Sequence, residues 1–249
     1  MRPVIAIEVA FHSEIQPLAR AVASALSQRV PGFEIRILIL DSSRNGCAEQ
    51  LLRGLKDNPR ACVIRSDARA AFVARNRLLR NAERCWPNLA WHVRLDADDC
   101  FTSKKSLRAV FEEVKPPHRI ILGGNRQIGP EAKIHGLNIP TSMLLKRRSV
   151  LARLSGMAQG DLKAELPSCN LILRAGFGWR YPSRKSAEDH WLLARLLLQL
   201  KPQQIHICQL ELVDYSVGGG VTQVNKTKGV YLTHRKALLE AAIGWNRRG

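Results

Sequence analysis

The chain is poor in acid, in tyrosine and in phenylalanine, and it has no long apolar run; each shortage narrows what it can be. Only 21 of its 249 residues are Asp or Glu, against 39 Lys or Arg, a formal charge of +18. That imbalance points to an anionic partner: nucleic acid, an anionic membrane surface or a phosphorylated substrate. The basic residues are spread along the chain, with small clusters at Lys146–Arg148, Arg184–Lys185 and Arg247–Arg248, so no dedicated basic tail is present. With three Tyr, six Phe and no known nucleic-acid-binding motif, nucleic acid is the weaker reading of the charge. No stretch approaches the ~20 apolar residues of a membrane span. The nearest, Trp191–Leu200, is interrupted by Arg195 and Gln199. The amino-terminal MRPVIAIEVAF lacks a cleavage-like site and reads as a first strand, not a signal peptide. These absences predict a soluble cytoplasmic protein, at most peripheral to the inner face of a membrane. The six cysteines (Cys47, Cys62, Cys85, Cys100, Cys169 and Cys208) stand far apart without a C-x-x-C or a Cys/His ligand grouping, so reduced thiols are expected.

What is present is ordinary globular composition, 45% hydrophobic and 24% charged. The length suits one generous domain or two small ones; with no repeat, low-complexity segment or clear linker, one continuous domain is favoured. Pro3–Val9 has a buried-strand pattern, and Ile15, Leu18, Ala19, Val22 and Leu26 recur at helical spacing. Glu34–Leu40 is a second strand, Ala48–Leu55 a helix, Ala61–Ile64 a strand and Ala68–Ala82 a helix. Trp91–Leu95 is the fourth strand and Ser103–Val114 the helix after it. This alternation predicts an α/β fold, a mostly parallel sheet flanked by helices and joined by right-handed crossovers. The second half is less regular. Strands are expected at Ile120–Leu122, Ser168–Leu173 and Gln204–Cys208, helices at Leu144–Leu154, Ala187–Leu200 and Val230–Ile243, and loops over residues 129–141 and Tyr215–Gly229.

In an acid-poor chain, three carboxylates crowd the stretch WHVRLDADD. Trp91, Val93 and Leu95 alternate with His92 and Arg94, the period of a strand with one buried face, which then runs into Asp96, Asp98 and Asp99. Like charges so close are costly without a cation, and a hard divalent ion held by oxygen ligands is the simplest compensation. The plain alternative is that Asp98 or Asp99 only favours a helix start. Asp41 ends the second strand, so it and Asp96–Asp99 share the carboxyl edge of the sheet, where such folds bind ligands. Asp41 could accept a hydrogen bond from a base N–H, or merely cap the helix after Asn45. In SAEDHWLLARLL, Asp189 is either part of a capping box with Ser186 or a general base at a helix start. In ARNRLL, Arg75 offers a planar fork for phosphate or a pyrimidine carbonyl, though with Arg77 and Arg80 it could form a solvated face. His234 is weighed as a phosphate or metal contact against the commoner structural role of a lone histidine.

Taken together, the first strand and its turn (Val4–Glu14), LILDSS, ARNRLL, RLDADD, SCNLILRAGF and AEDHWLLARLL resemble the large GT-A-type family of inverting nucleotide-sugar glycosyltransferases. The resemblance runs over roughly Val4–Leu200 in the family's order. It implies a single GT-A domain over residues 1–249, with a nucleotide-binding half at 1–115 and an acceptor-binding half at 116–249. It implies a metal-dependent hexosyl transfer from a nucleotide-diphosphate sugar, UDP-type, to an acceptor hydroxyl, the acceptor being a saccharide, a lipid-linked molecule or a small molecule. Asp41 and Arg75 would contact the nucleotide, Asp96 the ribose and metal, and Asp98 a Mn²⁺ or Mg²⁺ on the diphosphate. Asp189 would be the catalytic base and Glu188 would support its position. Tyr215–Gly229, with Lys226 and Lys228, is a candidate lid over the diphosphate or an ordinary surface loop.

The turn after the first strand, AFHSE, departs from the family in lacking the proline and asparagine often found there. A Q-x-x-R-W acceptor motif of the polymerising members is also missing, which argues against polymer synthesis and a membrane channel. Two other functions compete: a basic nucleic-acid-binding protein, and a sugar-1-phosphate nucleotidyltransferase. The second needs a glycine-rich phosphate loop directly after the first strand, and Ala10–Glu14 holds no glycine.

Overall fold

The computed structural model describes residues 1–12, 15–43, 48–129, 131–184, 186–217 and 229–246. Four parallel strands build its first half: β1 (Val4–Phe11), β2 (Glu34–Asp41), β3 (Ala61–Arg65) and β4 (Leu89–Arg94). Between them run α1 (Ile15–Ser27), α2 (Glu49–Gly54) and α3 (Ala71–Cys85). A two-residue strand β5 (Cys100–Phe101) and α4 (Ser106–Glu113) follow. The second half adds β6 (Ile120–Ile128), β7 (Ile134–Asn138), α5 (Arg147–Ala158), β8 (Leu171–Arg174), α6 (Glu188–Gln199), β9 (Ile205–Ser216) and α7 (Val230–Asn246). The nine strands among the described residues form one sheet in the order β3-β2-β1-β4-β8-β6-β9-β5, with β7 on β6. β8 runs antiparallel to both β4 and β6, while β6 and β9 are parallel. The carboxyl ends of β1, β2, β4 and β6 therefore share an edge with the amino end of β8.

Strand alternation sorts the core onto two faces. Ile5, Ile7 and Val9 of β1, Ile37 and Ile39 of β2, and Trp91 and Val93 of β4 pack against Leu18, Ala21, Val22 and Ala25, the inward stripe of α1. On the opposite face Ala6, Leu38 and Leu40 meet Ala74, Leu78 and Ala82, spaced four apart along α3. Farther along the sheet, Ile120, Leu122, Leu171 and Leu173 face α5, α6 and α7. α6 is buried nearly all round, Leu192, Leu193, Ala194, Leu196 and Leu197 included, as expected of a helix sandwiched between others. That burial accounts for the apolar run Trp191–Leu200, and no described helix is long and apolar enough to cross a membrane.

The structure departs from the sequence reading mainly in the second half. The strand expected to stop at Leu122 continues through Gly123 and Gly124 to Ile128. Glycines read as a break, but here they permit close approach: a side chain on Gly123 would collide with Leu212, and one on Gly124 with Ile139 and the Leu210 carbonyl. The loop expected over 129–141 contains β7, and the last strand runs on past Cys208 to Ser216.

Candidate functional site

The even positions of β4, His92 and Arg94, read from sequence as the strand's polar side, are buried beneath α3 and α6 because both faces of the sheet are covered. His92 shares a 2.6 Å hydrogen bond with Glu8 of β1. Burial raises the Glu8 pKa, and the neighbouring imidazole only partly opposes it. Two residues on, Arg94 spreads its whole guanidinium fork. Nε donates to Asp96 Oδ1 at 2.8 Å, Nη2 donates to Asp96 Oδ2, and Nη1 donates to Asp189 Oδ2 at 3.1 Å. Arg75 of α3 pairs with Glu188 and reaches Asp96 Oδ1 at 3.4 Å. Two guanidinium groups and three carboxylates, drawn from α3, β4 and α6, thus form one cluster at the carboxyl edge of the sheet.

The charges hold one another ionised. Burial by itself would raise the Asp96 pKa, but Arg94 and Arg75 overcome it and keep the group below its ordinary value. The same contest at Asp189 goes further: against burial, His190, Arg94 and Arg75 hold its carboxyl far below the carboxylate range. Conversely, burial would lower the Arg94 pKa, yet Asp96 and Asp189 raise it well above the usual value. Breaking such a buried network by removing one partner leaves an uncompensated charge, typically costing about 3–5 kcal/mol.

None of the three helix-cap explanations survives. α4 starts at Ser106 behind Lys105, with no side-chain cap, so Asp98 and Asp99 do not cap it. Asp99 instead accepts the Ser216 backbone N–H at 3.0 Å, and Ser216 Oγ donates to the Asp98 carbonyl at 2.6 Å. Burial and the charges of Asp96 and Asp98 push the Asp99 pKa well up. Asp98 is the exposed member of the group. α6 likewise lacks the Ser186–Asp189 capping box: its N-cap is Ala187, left-handed at φ 58° and without a side-chain cap bond. A non-glycine residue in that region is uncommon and costs on the order of 1–2 kcal/mol. Asp41, buried at the end of β2, accepts both Ser43 N–H at 2.9 Å and Ser43 Oγ–H at 2.6 Å, while α2 begins behind Ala48 with no side-chain cap.

Of the expected site residues, the structure gathers Asp96, Glu188, Asp189 and Arg75, with Asp98 on the same turn as Asp96. Arg75, expected with Asp41 on the nucleotide, pairs with the acids Glu188 and Asp96. Asp41 lies two strands away along the same edge, about 10 Å from the β4 end at ordinary strand spacing. Sequence reasoning missed Arg94, although it stands within RLDADD, and it missed Asn76 and Tyr181. Asn76 clamps the Tyr181 backbone from both sides, donating to its carbonyl and accepting from its N–H, each at 2.8 Å. The Arg75 guanidinium lies over the Tyr181 ring at 5.6 Å, and burial pushes that phenol up to about 12. Most of the lid candidate Tyr215–Gly229, with Lys226 and Lys228, falls outside the described residues; Tyr215 and Ser216 belong to β9. His234 is half-buried on α7, next to Arg235, which pairs with Glu165 at 2.5 Å.

A family model described as glycosyl transferase family 2 matches residues 7–173. No curated protein matches the chain by sequence. Among solved structures, residues 1–349 of TarS from S. aureus are similar at a TM-score of 0.63 and 16% identity, over 97% of this chain and 71% of that one. The same fragment in complex with UDP-GlcNAc gives 0.64 and 16%, over 97% and 72%. The mannosyltransferase PcManGT from Pyrobaculum calidifontis, in complex with GDP-Man and Mn²⁺, gives 0.61 and 14%, over 95% of this chain and 64% of that one. At such identities the likeness is one of fold.

Proposed function

The chain belongs to glycosyl transferase family 2, and we propose that it transfers a hexosyl group from a nucleotide-diphosphate sugar, UDP-type, to an acceptor hydroxyl with inversion at the anomeric carbon. That it is a glycosyltransferase of GT-A fold follows from the family; donor type, metal and stereochemistry are the part we propose, as the family resemblance implies. The observation that carries the reading is the gathering of Asp96, Glu188 and Asp189 around Arg75 and Arg94 at the sheet edge where α/β folds bind ligands.

Asp41 would take the base of the donor and Asp96 the ribose, with the diphosphate directed toward Asp98. Asp96 already gives its oxygens to Arg94 and Arg75, which suits a sugar-hydroxyl contact better than direct metal ligation. Asp98 is an exposed hard oxygen donor, and ions such as Mn²⁺ or Mg²⁺ are held by one or two carboxylates plus substrate phosphates. Among the described residues no three acids, imidazoles or thiols form a self-contained metal cage, which fits an ion completed by the donor. When bound there, the ion supplies Lewis-acid neutralisation of the departing diphosphate. Asp189, kept ionised by His190, Arg94 and Arg75, accepts the proton of the acceptor hydroxyl. Its low basicity means that it takes the proton as the glycosidic bond breaks, in general-base catalysis, and not beforehand. Glu188 holds Arg75 in place, so the two acids at the start of α6 divide the work between proton transfer and positioning.

Purified protein with Mn²⁺ or Mg²⁺ is expected to hydrolyse a sugar nucleotide slowly and to be stabilised thermally by the matching nucleoside diphosphate. Asp189→Asn should lower transfer by about 10²–10⁴-fold while leaving that thermal shift intact, and Asp98→Asn should remove both transfer and the metal dependence of the shift. Retained transfer in both variants would sink the assignment of roles.

A further inference from the structure

The β6–β7 hairpin and the chain leading into α5 combine exposed apolar side chains with exposed cations. Apart from the terminal Met1, the three most exposed large apolar side chains are Leu137 at 58%, Ile134 at 57% and Met143 at 46%. The bulge in β7 aligns the first two. Ile134 pairs with Ile128 and Leu137 with Arg126, and positions 126 and 128 share a face of β6, so Ile134 and Leu137 share one as well. The chain then dips inward at Pro140 and Leu144 and emerges with Lys146, Arg147 and Arg148 exposed. None of these three cations forms an ion pair among the described residues. Residues 133–148 contain no acid; Lys133 is paired with Glu131 at 2.7 Å, so the net positive charge comes from the other three.

We propose that this surface docks the protein on a bilayer bearing anionic headgroups. The stretch offers aliphatic side chains beside unpaired cations, the composition that settles into the headgroup boundary of an anionic membrane. It contains no Phe, Tyr or Trp on which a base could stack, as single-stranded nucleic-acid sites require. β7 also has an open edge among the described residues, so pairing of a second copy there is an outcome the test must separate. The patch lies close to the catalytic edge: Arg94 Nη1 donates to the Ser168 carbonyl at 3.5 Å, the Asn125 amide donates to the adjacent Cys169 at 2.9 Å, and β6 leads from Asn125 to Ile128 in three residues, about 10 Å. Docking does not depend on which sugar is transferred.

Co-sedimentation with vesicles of phosphatidylcholine alone, and of phosphatidylcholine mixed with phosphatidylglycerol, tests this on the whole chain. The wild type should sediment only with the mixed vesicles. The triple variant Lys146→Gln, Arg147→Gln, Arg148→Gln should bind them about a hundredfold more weakly. Ile134→Ser with Leu137→Ser should bind about tenfold more weakly and be released completely by salt. Circular dichroism and the thermal shift on a nucleoside diphosphate should match the wild type in both variants, which separates lost docking from lost folding or lost donor binding. Wild type left in the supernatant with mixed vesicles would overturn the proposal, as would undiminished binding by both variants. So would duplex DNA that displaces the vesicles at equal phosphate, or a dimer that the Ile134→Ser, Leu137→Ser variant converts to a monomer.

Discussion

At the carboxyl edge of the sheet half-buried Arg75 and buried Arg94 lie against carboxylates, whereas at the amino edge Arg29 and Arg60 hold backbone carbonyls near the surface. Arg60 donates to Leu26 O at 2.8 Å and to Ile35 O and Gln28 O at 3.2 Å; Arg29 donates to Leu26 O at 2.7 Å and Gln28 O at 2.8 Å. Leu26 lies in the last turn of α1, so these side chains satisfy carbonyls at and just beyond a helix end that the helix itself leaves unpaired. With Arg2 and Arg108 they line a cavity of about 670 Å³. The electrostatics run in opposite senses. Burial and the neighbouring Arg29 and Arg36 lower the Arg60 pKa, while the carboxylates around Arg94 raise its own. One residue type thus finishes a helix at one edge and orders a reactive cluster at the other. What distinguishes the two uses is the partner: neutral dipoles tolerate the loss of a cation, and buried anions do not.

The sharpest way to break this contrast is Arg94→Met. It leaves Asp96 and Asp189 without their shared cation and should cost about 3–5 kcal/mol in urea unfolding. Adding Asp96→Asn should recover much of that loss; no recovery would mean that Arg94 acts through packing instead of charge. At the other edge Arg60→Ala should cost about 1–2 kcal/mol, the net worth of its bonds to carbonyls, with the initial rate of transfer unchanged. A rate loss there comparable to that of an Arg94 variant would erase the distinction.

Smaller still is a pH effect confined to the amino edge. His118 and His206 lie there with tilted rings, centroids 5.1 Å apart. Burial, and for His118 the neighbouring His206, lowers both pKa values. A histidine depressed in the folded state stabilises above its unfolded pKa, and that contribution is lost as pH falls below it. Melting temperature should therefore decline between pH 7 and 5, with a flatter profile in His206→Gln; an equally steep profile would move the effect elsewhere. The smallest change is expected from Ala187→Gly at the carboxyl edge. Relief of left-handed strain, about 1–2 kcal/mol, is only partly offset by about 0.5–1 kcal/mol of extra chain entropy, so urea unfolding should show a gain of about 1 kcal/mol or less.

The regular alternation from β1 to α4 was legible because each element there repeats its apolar residues at its own period and is punctuated by turns. The second half hid more. Gly123-Gly124 signals a break to local reading but lies inside a strand, because β9 and the chain at Asn138–Ile139 crowd it. β7 carries exposed Ile134 and Leu137 with a bulge between them, so it shows no clean alternation. In the site, Asp96, Glu188, Asp189 and Arg75 stood out as chemistry-bearing residues. Arg94 did not, because a two-residue period assigns His92 and Arg94 to the strand's second face without revealing that α3 and α6 cover it.

The sequence alone determined where acids sit along the chain: Asp41 at one strand end, Asp96–Asp99 beyond another, Glu188-Asp189 at a helix start. Strand and helix periods are set by neighbours within a few residues, so such placements are local facts. Which cation neutralises which acid was decided only by the tertiary structure. Arg94 meets Asp189 across 95 positions and Arg75 meets Glu188 across 113, and no local pattern encodes a pairing at that separation. Asp189 is held ionised against burial by its neighbour His190 and by two guanidinium groups, Arg94 and Arg75, that only the tertiary structure brings near.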